Sequence, residues 1–154
     1  MNDVSLVPPG GGEVIELGPA RIRILEDGSA TGHRLGIAEI TLAPRSPGPP
    51  QHRHARHDEG FYVVRGTARF TVGSTGYDAP PGTMVTVPPG APHSFANPGE
   101  EPLVLLNTFT PDFYVQYFRD LREVLAGAGP DGAGAPAVAE VMGRYATSLA
   151  TEFD

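Results

Sequence analysis

The sequence contains no cysteine, which excludes a disulfide framework, a thiolate nucleophile and any cysteine-held zinc or iron–sulfur centre. Lysine is absent as well, and all 11 basic residues are arginine. Schiff-base chemistry and a P-loop lysine are therefore excluded. No run of about 18 apolar residues occurs, so no membrane-spanning helix is expected. The first stretch, Met1 to Glu13, has neither a basic cluster nor an apolar segment behind it and does not read as a secretory signal. Cytoplasmic residence is the expectation. Positive charge is scarce: 11 arginines against 18 acidic residues leave a net charge of −7. Such a field repels nucleic acid and anionic membranes, so neither is an expected partner. Any metal must be held by histidine and carboxylate.

What the chain does have is turn chemistry. Gly 20 and Pro 17 in 154 residues stop just short of the roughly 25–30% that marks low complexity, and 40% of the chain is hydrophobic. Many turns between short apolar, β-branched stretches favour an all-β sandwich or barrel. Strands are predicted at Val14–Leu17, Arg21–Leu25, Arg34–Leu42, Gln51–His54, Glu59–Arg65, Thr67–Val72, Met84–Val87, His93–Ala96 and Pro102–Phe109. Separators include Gly73–Gly76, Pro80–Gly82 and Pro88–Gly90.

The pattern changes after Phe109. Thr110, Pro111 and Asp112 supply a helix cap, a first-position proline and a first-turn acid. Phe113, Tyr117, Phe118, Leu121, Val124 and Leu125 then recur at helical spacing until Gly127. A Gly/Ala/Pro linker over Gly127–Pro136 precedes a second amphipathic run through Val138, Val141, Met142, Tyr145 and Leu149. The expected division is a β domain over residues 1–110 and a helical extension over 111–154 packed against it. Phe113, Tyr114 and Phe118 either pack on that domain or also close one end of a pocket.

Four of the five histidines lie between His52 and His93. His52 and His54 are two apart in a β-type segment, so both imidazoles share a face. Glu59 opens the next apolar stretch, with Phe61 and Val63 on its parity. Tyr62 and Val64 on the other parity are apolar too, which predicts a strand buried on both faces. A carboxylate in such a place needs a partner. His93 shares a face with Phe95. Three imidazoles and a carboxylate converging inside a barrel suit a divalent transition metal: Fe, Mn, Co, Ni, Cu or Zn. His57, between the two strands, is expected in a solvated loop, with a pocket entrance and replacement of a metal ligand as the lesser alternatives, and His33 is expected to be exposed.

Two extended motifs surround these residues. His52-Arg-His54-(x4)-Glu59-(x6)-Gly66 is followed by Gly82-(x5)-Pro88-x-Gly90-(x2)-His93-(x3)-Asn97. Together they resemble the two signatures of the cupin superfamily. One position departs: Ser46 stands where a glycine is expected, with Gly48 nearby. The resemblance implies a single-domain cupin β-barrel, or jelly roll, with two C-terminal α-helices. It also implies one metal ion on His52, His54, Glu59 and His93. Gly66 and Gly90 fall at turns that favour positive φ.

Parity and turns predict an apolar pocket lining of Phe61, Met84, Phe95, Leu105, Phe109 and Phe113, suited to a flat or aromatic ligand. The run Pro49-Pro50-Gln-His-Arg-His, with Glu-Gly-Phe-Tyr-Val-Val and the Phe-Arg-Asp-Leu helix, resembles small quercetin 2,3-dioxygenase-like monocupins. That resemblance implies O2 addition to a flavonol or other enolisable phenol, with Glu59 as ligand and catalytic base. A redox-neutral polyketide cyclase or isomerase, and a non-enzymatic small-molecule binder, fit the same residues. A homodimer is expected, because Tyr62 and Val64 would need cover.

Overall fold

The computed structural model describes residues 3–127 and 135–151. Its strands in chain order are β1 (Glu13–Leu17), β2 (Ala20–Glu26), β3 (Gly36–Leu42), β4 (His52–His54), β5 (Asp58–Arg65), β6 (Ala68–Val72), β7 (Thr75–Ala79), β8 (Met84–Val87), β9 (Ser94–Ala96) and β10 (Leu103–Thr110). Helices α1 (Val115–Gly127) and α2 (Ala135–Arg144) precede a last strand, β11 (Thr147–Leu149).

Alternation builds the larger sheet. β3 buries Ala38, Ile40 and Leu42, and β10 buries Leu103, Leu105, Asn107 and Phe109, while the residues between them are partly exposed. This period of two turns one apolar face inward. β10 pairs antiparallel with both β3 and β5, giving the order β1-β2-β3-β10-β5-β8. The opposing layer contains β7-β6-β9 and the pair β11-β4. The two parts meet where the His52 N–H donates to the His93 carbonyl at 3.1 Å and the His93 N–H donates to the His52 carbonyl at 3.0 Å. The motif histidines are thus also a seam of the fold. This is a mostly-β jelly roll with two C-terminal helices.

Phe61, Phe70 and Phe95 fill the interior between the layers, with Phe61 5.3 Å from each of the other two rings. Val115, Tyr117 and Phe118 bury one face of α1. Arg119 holds the helix to the sheet, donating to Glu13 at 2.8 Å and to Asp27 at 2.9 Å. A hydrogen bond from Ser29, together with that Arg119 pairing, draws the Asp27 carboxyl down to about 2.

Several local expectations need correction. Residues 75–79, read as turn and connector, form β7 opposite β6. The second amphipathic run does not continue to Leu149. It stops at Arg144, and 147–149 become β11, paired with β4. Ala146 between them has a φ of 50°, a left-handed residue that ends the helical path. Thr110 does not cap α1: the chain passes a cis Thr110–Pro111 bond and a 3-10 turn, Asp112–Tyr114, before the helix begins. β5 is buried on one face only, since Tyr62 and Val64 remain 44% and 51% exposed. The expected linker lies in part outside the described residues, at 128–134, and α2 begins within its remainder. Gly66 and Gly90 do take positive φ, 78° and 87°. No helix among the described residues is long and apolar enough to cross a membrane.

Candidate metal centre

β4 places His52 and His54, β5 places Glu59 at its second position, and His93 sits just ahead of β9. The ligand-type atoms of His52, His54 and His93 all lie within 4.8 Å of one another. One Glu59 oxygen, Oε2, is 3.0 Å from His54 Nε2 and 3.0 Å from His93 Nε2. The other, Oε1, accepts from Asn107 Nδ2 at 3.1 Å. Glu59 is 4% exposed and His93 1%.

The outer nitrogens decide what the inner ones can do. His52 Nδ1 donates to the Pro50 carbonyl at 2.8 Å, and His93 Nδ1 donates to the Ala91 carbonyl at 2.9 Å. His54 Nδ1 meets Thr147 Oγ1 at 3.1 Å. The Thr147 hydroxyl proton is committed to the Tyr145 carbonyl at 3.2 Å, so its oxygen accepts from His54. All three rings are thereby set in the Nδ1–H form, with Nε2 lone pairs pointing inward. Lone pairs on three nitrogens and a carboxylate repel unless a cation lies among them, and outer-atom hydrogen bonds of this kind orient metal-binding imidazoles. The donor set therefore fits a divalent transition metal ion.

Without the ion, protons must mediate these contacts. Burial works to raise the Glu59 pKa, but hydrogen bonds to His54 and His93 outweigh it and hold the carboxyl well below its usual range. Burial works to lower His93, and the Glu59 hydrogen bond and charge overrule it, leaving the imidazole raised. His52 has no such carboxylate contact, and burial with the nearby His93 brings it down to about 4.

The cupin domain family matches residues 38–109, a stretch running from β3 to β10 that contains all four of these side chains. Similar solved structures include KdgF from Halomonas sp., with a TM-score of 0.63 and 18% identity over 71% of this chain and 94% of that one. A cupin sugar phosphate isomerase from Silicibacter pomeroyi has a TM-score of 0.59 and 21% identity over 69% and 75%. Oxalate decarboxylase OxdC of Bacillus subtilis reaches 0.56 and 27% identity over 65% of this chain but only 28% of its own. No curated protein sequence matches the chain.

Beside the candidate centre, the barrel opens into a cavity of about 340 Å³. His52, Glu59, Asn107 and Thr147 form its polar end. Its walls are apolar, from Leu17, Ile40 and Phe95 in the barrel to Phe118 and Leu125 on α1 and Met142 on α2. No arginine lines it among the described residues.

The expected lining is largely displaced. Phe95 lines the cavity, whereas Phe61, Leu105 and Phe109 are fully buried in the core. Met84 lies opposite Tyr62 in the β5–β8 ladder and is 55% exposed on the outer face. Phe113 packs on Tyr145 at 5.1 Å, and Tyr114, Tyr117 and Phe118 line the cavity instead. His33 is exposed as expected, but its Nδ1 pairs with Asp112 at 2.9 Å.

Asn107 and Thr147 escaped the sequence reading. Asn107 left a signal: it shares inward parity with Leu105 and Phe109, a polar residue where the core calls for an apolar one. Thr147 left none, because helical spacing concealed the strand. Replacing it tests its role. Thr147→Val keeps the shape but removes the oxygen that fixes His54, and should weaken metal affinity by about 10–100-fold. A competition titration with a chromogenic chelator measures this, and unchanged affinity would rule out the orienting role.

Proposed function

We propose that this cupin is a metal-dependent, quercetin 2,3-dioxygenase-like oxidoreductase acting on a flavonol or another enolisable phenol. The observation that carries this reading is the union of a His3Glu cluster with an apolar cavity that no arginine lines among the described residues. A sugar phosphate or a small dicarboxylate would find no positive partner on those walls. A flat neutral ring system would find Phe95, Tyr114, Tyr117 and Phe118. His52, His54, Glu59 and His93 would hold the ion, which supplies Lewis acidity and open positions for substrate and O2.

The protein's own part is positional and acid–base. Glu59, ionised at neutral pH, accepts the hydroxyl proton of the bound phenol at a carboxylate oxygen, leaving the electron-rich enolate that O2 requires. Asn107 donates to Oε1 and fixes the plane of the carboxylate. The helical walls exclude water, which would otherwise compete for the reactive carbanion character of the ring. Both atoms of O2 enter the product as the ring opens.

An oxygen electrode with a flavonol and the metal-loaded protein tests the reading: substrate loss should match O2 uptake. Conversion under strict anaerobiosis would instead establish a redox-neutral cyclase or isomerase, and saturable binding without turnover would leave a binder. The partner expected outside the site is a second copy of the chain. Tyr62, Val64 and Met84 form an exposed apolar strip on β5 and β8, of a kind that self-association covers. Light scattering at micromolar concentration should return the mass of a dimer, and a monomer there would refute it.

A further inference from the structure

His57 is an interior imidazole that the proposed chemistry leaves idle. It belongs to the short connection between β4 and β5, where solvent is the ordinary surrounding, yet it is 2% exposed. Its ring lies 4.5 Å from that of His54, 4.8 Å from Tyr114 and 5.8 Å from Phe109. Neither of its nitrogens has a hydrogen-bond partner among the described residues. A buried polar atom left unsatisfied costs about 1–3 kcal/mol. A phenylalanine would fill the same aromatic niche without that cost, so the nitrogens call for a ligand.

The neighbours show which ligand. The ligand-type atoms of His54, His57 and Glu59 lie within 4.8 Å of one another, as do those of His52, His54 and His93. We propose that His54, His57 and Glu59 form a second seat for the divalent transition metal ion, overlapping the first. This inference rests on the metal-centre reading above. His54 Nδ1 is committed to Thr147, so a single Nε2 serves both seats and they cannot be filled together. The chain thus holds one ion with two positions. His52 and His93 belong only to the first seat and His57 only to the second, while His54 and Glu59 belong to both. Loss of a first-seat histidine leaves the second seat whole.

The test counts cobalt(II) bound per chain after equimolar loading at micromolar concentration and desalting, with the ligand-field absorption as a second readout. Wild type and His57→Phe should each retain one ion. His52→Ala/His93→Ala, which leaves only His54, His57 and Glu59, should also retain one, with a changed absorption spectrum, and adding His57→Phe to that variant should leave none. Circular dichroism confirms folding, and His57→Leu replaces His57→Phe in both backgrounds if the latter aggregates. Equal cobalt with and without His57→Phe in the His52→Ala/His93→Ala background would overturn the second seat. So would a complete loss in His52→Ala/His93→Ala or in His57→Phe alone. Wild type that binds no cobalt would defeat the metal-centre reading itself, a result distinct from each of these.

Discussion

Glu59→Gln should lower turnover by about 10²–10⁴-fold, the usual scale for removing a general base, while most of the metal stays in place. Glutamine keeps the side-chain length and so leaves the three imidazoles in place. What it loses is the capacity to take up a proton. Three imidazoles remain, each oriented from its far side by Pro50, Thr147 or Ala91, so occupancy should fall far less than in His54→Ala. Metal analysis and steady-state kinetics on the same preparation separate the two effects. Full turnover with metal retained would remove Glu59 from the role of base. Asn107 adds a safeguard: its amide already donates to Oε1, so glutamine must present its carbonyl oxygen there. The amide nitrogen is then turned toward the imidazoles.

Phe61→Ala should destabilise the fold by about 3–5 kcal/mol, the range for a large core aromatic reduced to alanine. The ring is 1% exposed, lies 5.3 Å from both Phe70 and Phe95, and stands 6.2 Å from His93. The surrounding sheets are held by their own ladders and cannot collapse into the space. Urea denaturation of the metal-free protein gives the value. A residue that merely touched substrate would behave differently, raising KM with little change in the denaturation midpoint. That contrast decides between the wall predicted from parity and the core found in the structure.

The four ligand candidates were legible because their signal is local. Two histidines at strand spacing, a carboxylate that opens a buried strand, and a third histidine after a Pro-Pro-Gly turn carry their chemistry in a few residues each. The all-β architecture was legible for the same reason, since alternation and turns repeat along the chain, whereas the jelly roll followed from the motif resemblance. The cavity was not. Its walls join Leu17 to Met142, and no period in the sequence reports which elements will face each other. Parity states that Met84 faces one side of its strand, but only the ladder to Tyr62 shows that this side is the outer one. His57 was misplaced on similar grounds. Its position in a connection suggested solvent, and the burial comes from Tyr114, far along the chain.

The pairing of β11 with β4 also sets an order of events during synthesis. His54 leaves the ribosome 93 residues ahead of the hydroxyl that orients it. Domains fold as units while the chain emerges, so the barrel strands up to β10 can pair while the His54 ring still turns freely. On the metal-centre reading, such a nascent site would offer its imidazole in either tautomer and grip an ion weakly, and full affinity would arrive only when Thr147 docks. A metal captured too early would then still exchange, leaving the choice of ion to the finished protein.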